Sequence, residues 1–158
     1  SSYITGCSTA FVLAVGALIN GVGLDAIRKH MSSLRNDPDI SARTCSNDVM
    51  FQVGNEAAVM GARPDLTIDP IVACRLIGMN CTMSFQVPAA YFLLHRFADN
   101  FEQGVLTAVN AGGNNMVRGA LTGALLGAHV GLQGIPPRLI EGLSDHEHLL
   151  ELSDRITG

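Results

Sequence analysis

Tryptophan is absent from this chain and aromatic residues make up only 5% of its 158 positions, so its interior must be built from Ala, Leu, Val, Ile, Met and Gly. Charge is scarce as well: 15% of residues are charged, against about a quarter in an ordinary soluble domain. No Lys/Arg cluster exists beyond Arg28-Lys29, and the net charge is −4. Both disfavour a nucleic-acid partner. No two cysteines are spaced as CxxC; Cys7, Cys45, Cys74 and Cys81 are scattered, two of them in apolar surroundings. That pattern disfavours zinc and reads as buried reduced thiols in an intracellular, reducing compartment, the cytoplasm. No stretch alternates apolar and polar residues over a strand's length, and no Asn-Gly hairpin turn occurs, so no sheet is expected. The nucleophile elbow GxSxG, the zinc motif HExxH, the P-loop and the dinucleotide fingerprint are all missing.

What is present is apolar and helical in period. The length suits one domain with a real core. Residues Ser1 to Leu24 carry no charge. A signal peptide would show a basic start, which is missing. A membrane span is long enough to fit there, but Gly16, Asn20, Gly21 and Gly23 dilute the hydrophobicity; the reading favoured is a helix over Cys7–Asn20, buried nearly all round and ended by Gly21-Val22-Gly23. Leu24–Arg35 reads as an amphipathic helix with Leu24, Ile27, Met31 and Leu34 on one side. Asn36 to Asp39 breaks it and Ser41–Thr44 is expected to be a polar connection. Ser46-Asn47-Asp48 offers caps to a helix reaching Met60. Gly61–Thr67 reads as a loop, and Asp69-Pro70 as the N-cap and first residue of the next helix. Gly78–Phe85 is expected to be loop, and Gln86–Ala98 a helix with Pro88 in its first turn. Asn100 and Gln103 form a capping box for Phe101–Asn110. Gly134-Ile135-Pro136-Pro137 is a sharp break before a short helix over Pro137–Leu143. Ser144 and Glu147 read as a second capping box, ahead of His148–Ile156. The fold class is all-α.

The stretch from Ala108 to Gly131 is the centre of this pattern. Gly112-Gly113-Asn114-Asn115 reads as a turn, because paired glycines followed by Asn supply backbone conformations that other residues resist. After it, Gly119, Gly123, Gly127 and Gly131 recur every fourth residue, a bare stripe along a helix that lets another backbone approach. Free N–H groups where this helix begins can bind a phosphate. Arg118 is the sole charged side chain between Glu102 and Arg138; it is either a structural hub tying loops together or an anion contact, since a buried guanidinium needs partners. Asp145-His146-Glu147-His148 holds metal-competent groups, but neighbours along a helix do not converge on one ion. His30 and His95 sit near helix ends, where the helix dipole accounts for them, and His129 reads as a core or groove histidine.

The run FADNFEQGVLTAVNAGGNNMVRGALTGALLGAHVGLQGIPPRLIEGL, Phe97 to Leu143, resembles the C-terminal portion of the ADP-ribosylglycohydrolase family. That family has an acidic-aromatic helix start, an AVNAGGD turn, a Gly/Ala helix, a Gly-Ile…Ile-Pro break and a short helix. Upstream, GMNCTMSFQVPAAYFLL, Gly78 to Leu94, is similar to the family's preceding loop and helix. The resemblance implies an orthogonally packed multi-helix bundle, with residues 1–158 as a single all-α domain or a C-terminal half-domain. It implies hydrolysis of ADP-ribosyl N- or O-glycosidic bonds, with Mg²⁺ held between an early Thr-Asp-Asp motif and Asp residues after the Gly-Gly turn. By position, Gly112, Gly113, Asn115, Ser84 and Phe85 are the substrate-binding residues.

Two departures matter. Asn114 stands where the family's leading Asp stands, with Met116 at the second Asp position, and no early Thr-Asp-Asp exists here. Asn114 is therefore a degenerate metal position. Weak or absent activity is expected, with a missing N-terminal half or other protein subunits as partners. The alternative is a catalytically inactive scaffold on the same fold, a use with precedent in the family's lens crystallin. A membrane role is not favoured.

Overall fold

In the computed structural model, which describes residues 2–44 and 56–157, the uncharged opening becomes helix α1 (Ser2–Ile19). Gly21 ends it at φ +80°, with Gly21 N–H donating to Leu18 and Val22 N–H to Ala17, both at 3.0 Å, the paired bonds of a Schellman stop. The expectation of all-round burial is corrected. Cys7, Ala10, Ala14, Ala17 and Leu18 form the buried face, while Ile4, Val12 and Ile19 are exposed. Small residues on the inner face let α1 lie close to its neighbours; Leu18 is buried with them and Phe11, Leu13 and Val15 pack at the edge of the core. Among the described residues, no helix is long and apolar enough to cross a membrane.

Helix α2 (Leu24–Arg35) forms as its period predicts and buries Ile27 and Met31. The expected polar connection at Ser41–Thr44 is instead the end of a helix, α3 (Pro38–Thr44). Its start has a local cause: the Asp37 carboxylate accepts the N–H groups of Asp39 and Ile40 at 2.9 and 3.2 Å, and Pro38 supplies a preset first helical residue. The capping triplet Ser46-Asn47-Asp48 lies outside the described residues. Helix α4 is described over residues 56–62 and so continues past Met60.

Asp69 caps α5 (Pro70–Ile77) by accepting from Ile71 and Val72 N–H at 2.8 and 3.1 Å. Helix α6 (Met83–Arg96) starts three residues earlier than expected and is buried along Gln86 to Leu94. Pro88 therefore lies inside the helix, beyond the first turn. Half of the expected capping box of α7 (Phe101–Asn110) forms: Gln103 N–H donates to the Asn100 side chain at 3.0 Å, while the Asn100 N–H donates to the Phe97 carbonyl at 2.9 Å and not to the Gln103 side chain. Helix α8 (Asn115–Val130) is followed by a 3₁₀ turn at Leu132–Gly134, then α9 (Pro137–Glu141) and α10 (His146–Thr157). The second expected capping box does not form: α10 starts at His146, after Asp145 at φ +64°, so Ser144 is displaced from the cap. The described residues form no strand.

Helix α8 is the axis, packed against α7, α6 and α1. One apolar cluster joins α1, α2 and α6 to Leu125 and Leu126; a second joins α5 and α6 to Ala108 and Ala111. The buried face of α8 runs through Arg118, Gly119, Thr122, Leu125 and Leu126. The glycine stripe shares Gly119 with this face and then runs beside it. A Cβ at Gly119 would meet Val109 at 3.0 Å, but at Gly123 and Gly127 the nearest atoms are 3.8 and 3.7 Å away, and Gly131 has nothing within 4 Å. Close approach is thus needed at one end only. The rest of the stripe floors a groove of about 450 Å³ against Val15, Leu150 and Asp154.

His95, in the last turn of α6, reports on this packing. A carbonyl only accepts, so the 3.0 Å contact with Tyr91 places the proton on Nδ1. Burial holds the imidazole below its ordinary titration range, outweighing the backbone hydrogen bonds to Tyr91 and Leu24 that favour the charged form, with smaller help from repulsion by His129 and Arg28. Neutral histidine is thus favoured in the folded chain. The unfolded chain takes up the proton near pH 6.5, so this contribution is complete above that value and is lost as pH falls through the lower folded value. Melting temperature should fall between pH 7.5 and 5, and His95→Gln should flatten that slope. Parallel slopes for the two proteins would contradict this assignment.

Candidate functional site

The Gly-Gly turn joins α7 to α8 with Gly112 at φ +83° and Gly113 at φ +63°. Gly113 is fixed twice over. Besides its left-handed backbone, a Cβ there would lie 2.4 Å from the Met79 carbonyl oxygen. That carbonyl accepts the Asn114 N–H at 2.9 Å. The Asn114 side chain caps α8 by accepting Val117 N–H at 3.4 Å.

The loop on the other side is built to meet this turn. Gly78 has φ +148°, and a Cβ there would sit 2.4 Å from the Phe85 ring, so the ring lies directly on the glycine. Asn80 ties the loop to α6: its side chain accepts Thr82 N–H at 2.9 Å, and its carbonyl accepts Gln86 Nε2 at 2.5 Å. Gly78-Met79 therefore has Phe85 against one residue and the Gly113-Asn114 turn against the other. Of the residues singled out from sequence, Phe85 on one side and Gly112, Gly113 and Asn114 on the other meet through this dipeptide; Ser84 and Asn115 are their chain neighbours. Ser84 and Phe85 were expected in a loop; they are in the first turn of α6, because that helix begins at Met83. Phe85 is 36% exposed and Ser84 is half-buried.

Arg118 is fully buried. Its Nε donates to the Ala108 carbonyl at 3.0 Å and one terminal nitrogen donates to the Gly112 carbonyl. Ala108 and Gly112 close the last turn of α7, where free carbonyls and the negative end of the helix dipole attract a cation. Arg75 adds a second clamp, with Nε on the Ala111 carbonyl at 3.1 Å. The remaining Arg118 nitrogen, Gln86 Oε1 and Thr122 Oγ1 are buried without a partner. Cys74 lies within reach of the Arg118 charge, yet burial dominates and pushes its thiol up to about 11, so it is inert as a nucleophile.

Sequence reasoning missed Arg75, Met79 and Gln86. Gln86 left a signal, since it is a polar residue directly before the apolar run VPAAYFLL. Met79 acts through its backbone, which no residue type advertises. The Asp145-His146-Glu147-His148 segment is largely exposed, and among the described residues no group of three His, Cys, Asp or Glu side chains is placed to hold a metal.

The donor set at the turn does not fit Mg²⁺. Asn114 offers a neutral amide oxygen already used as a cap, and Met116 a thioether 77% exposed, where Mg²⁺ takes oxygen ligands, carboxylates above all.

The fold and this turn define an all-helical bundle organised around a Gly-Gly turn that opens its axial helix. A family profile described as ADP-ribosylglycohydrolase matches residues 3–158. The chain belongs to the ADP-ribosylglycohydrolase family, and the match extends over the segment before Gly78. No curated protein matches the chain. No solved structure matches it either.

Proposed function

We propose that this chain binds ADP-ribosyl compounds at the face shared by Gly112, Gly113, Asn115, Ser84 and Phe85, and that hydrolysis of their N- or O-glycosidic bonds is weak or absent. One observation carries the reading. The Gly-Gly turn and the first turn of α6 are held together by Gly78-Met79, where the Phe85 ring leaves no room for a side chain at 78 and the Met79 carbonyl leaves none at 113. At the start of α8 the N–H groups of Asn114, Asn115, Val117 and Arg118 already donate to Met79, Gly113 and Asn114, so the Met116 N–H and the positive end of the helix dipole are what face a diphosphate, and the partly exposed Phe85 ring offers a surface for a base. Loss of turnover follows from chemistry: no carboxylate stands at 114 or 116 to hold a metal that would activate water. The buried Cys74 thiol suits a reducing compartment such as the cytoplasm.

Isothermal titration of ADP-ribose into the chain tests this. Heat that saturates at or below millimolar ligand is the expected result, and no heat at millimolar ligand would sink the proposal.

A second reading, an inactive scaffold or subunit of a larger assembly, draws on the exposed apolar residues Ile4, Val12 and Ile19 of α1. Apolar side chains repeated along one helix suit burial against a partner protein. A chain that sediments as a monomer at high concentration removes that support.

A further inference from the structure

After the family's carboxylate is replaced, the oxygens of the Gly112–Asn115 turn are still in use. Asn114 Oδ1 accepts the Val117 N–H. An aspartate in the same cap has a second oxygen left for a cation; an asparagine has an NH₂ there, whose hydrogens repel one. The backbone carbonyls are in use as well: Gly113 oxygen accepts the Asn115 N–H at 2.8 Å and Asn114 oxygen the Arg118 N–H at 3.3 Å, and the two that precede them carry positive charge. Arg75 holds the Ala111 oxygen and Arg118 holds the Gly112 oxygen. A divalent cation at these carbonyls would displace a guanidinium and then sit beside it. The Met79 carbonyl accepts the Asn114 N–H at 2.9 Å.

We infer that this turn is a junction pinning residues 78–82 to the ends of α7 and α8, and that ADP-ribosyl ligands are taken at this face without a divalent cation. The inference rests on the ADP-ribosyl reading above and separates the ligand from the metal. The Asn114 amide keeps the cap, since Asn and Asp cap helices equally well, and gives up the ligand oxygen. Arg75 and Arg118 then supply the positive charge on this side of the turn, locked into the fold.

The test is a set of titrations on the whole chain. ADP-ribose is titrated in EDTA and again in millimolar MgCl₂, and MgCl₂ is titrated alone into wild type and Asn114→Ala. The dissociation constant for ADP-ribose should change by less than about twofold between the two buffers, and MgCl₂ alone should give no heat. Tightening of about tenfold or more by Mg²⁺ overturns the inference. So does Mg²⁺ heat in wild type that Asn114→Ala abolishes. Absence of ADP-ribose binding in both buffers instead overturns the functional reading, and the MgCl₂ titrations then decide the junction by themselves.

Discussion

Arg118→Ala is expected to cost about 3–5 kcal/mol of stability, from two hydrogen bonds to a charged donor worth about 1.5–3 kcal/mol each and the carbonyls left behind. At this chain length each kcal/mol lowers the melting temperature by about 2–4 °C, so a drop of at least about 6 °C should be seen by circular dichroism. The cause is specific. The guanidinium fork reaches Ala108 and Gly112 together, and its loss leaves the last turn of α7 with unpaired carbonyls in a buried setting. Arg118→Lys retains the charge but has a single donor head, so an intermediate loss is expected. The two readings of Arg118 open in the sequence separate here. A structural hub loses stability in both variants. An anion contact would weaken ADP-ribose binding in Arg118→Lys while the melting temperature stayed within a degree or two of wild type.

Gly113→Ala should be the second most damaging change. A left-handed residue with a Cβ costs about 1–2 kcal/mol, and that Cβ would also press on the Met79 carbonyl, raising the total to about 2–4 kcal/mol. Gly131 is the natural control. Its φ of +67° is nearly that of Gly113, but nothing lies within 4 Å of its missing Cβ. Gly131→Ala should therefore show the backbone cost alone. The difference between the two melting temperatures measures the contact between the turn and Met79, and equal losses would mean that the contact does not hold the site.

Much of this fold could be read from residues. The Leu24–Arg35 helix, the Asp69-Pro70 start and the Asn100–Gln103 cap are local devices, fixed by side chains within one turn. Helix α3 was legible by the same rule, since Asp37-Pro38 repeats Asp69-Pro70, but the polar Ser41–Thr44 stretch masked it. What period alone does not reveal is which face of an apolar helix is inside. In α1 the buried line is mostly small residues while Ile4, Val12 and Ile19 are exposed; in α8 the buried line takes Gly119 from the glycine stripe and then leaves it for Thr122, Leu125 and Leu126. Those outcomes depend on neighbours distant in sequence. The site divides the same way. Gly112, Gly113 and Asn114 are marked by their residue types, whereas Met79 contributes a backbone carbonyl and Gln86 an amide whose partner is Asn80.

The most direct test of the account is a titration of ADP-ribose into isotopically labelled chain, read by amide chemical shift in EDTA. Saturable shifts are expected at Gly112, Gly113, Asn115, Ser84 and Phe85, with Leu150 and Asp154 in the groove at the other end of α8 unmoved. Shifts confined to the groove, or none at the turn at saturating ligand, would contradict it.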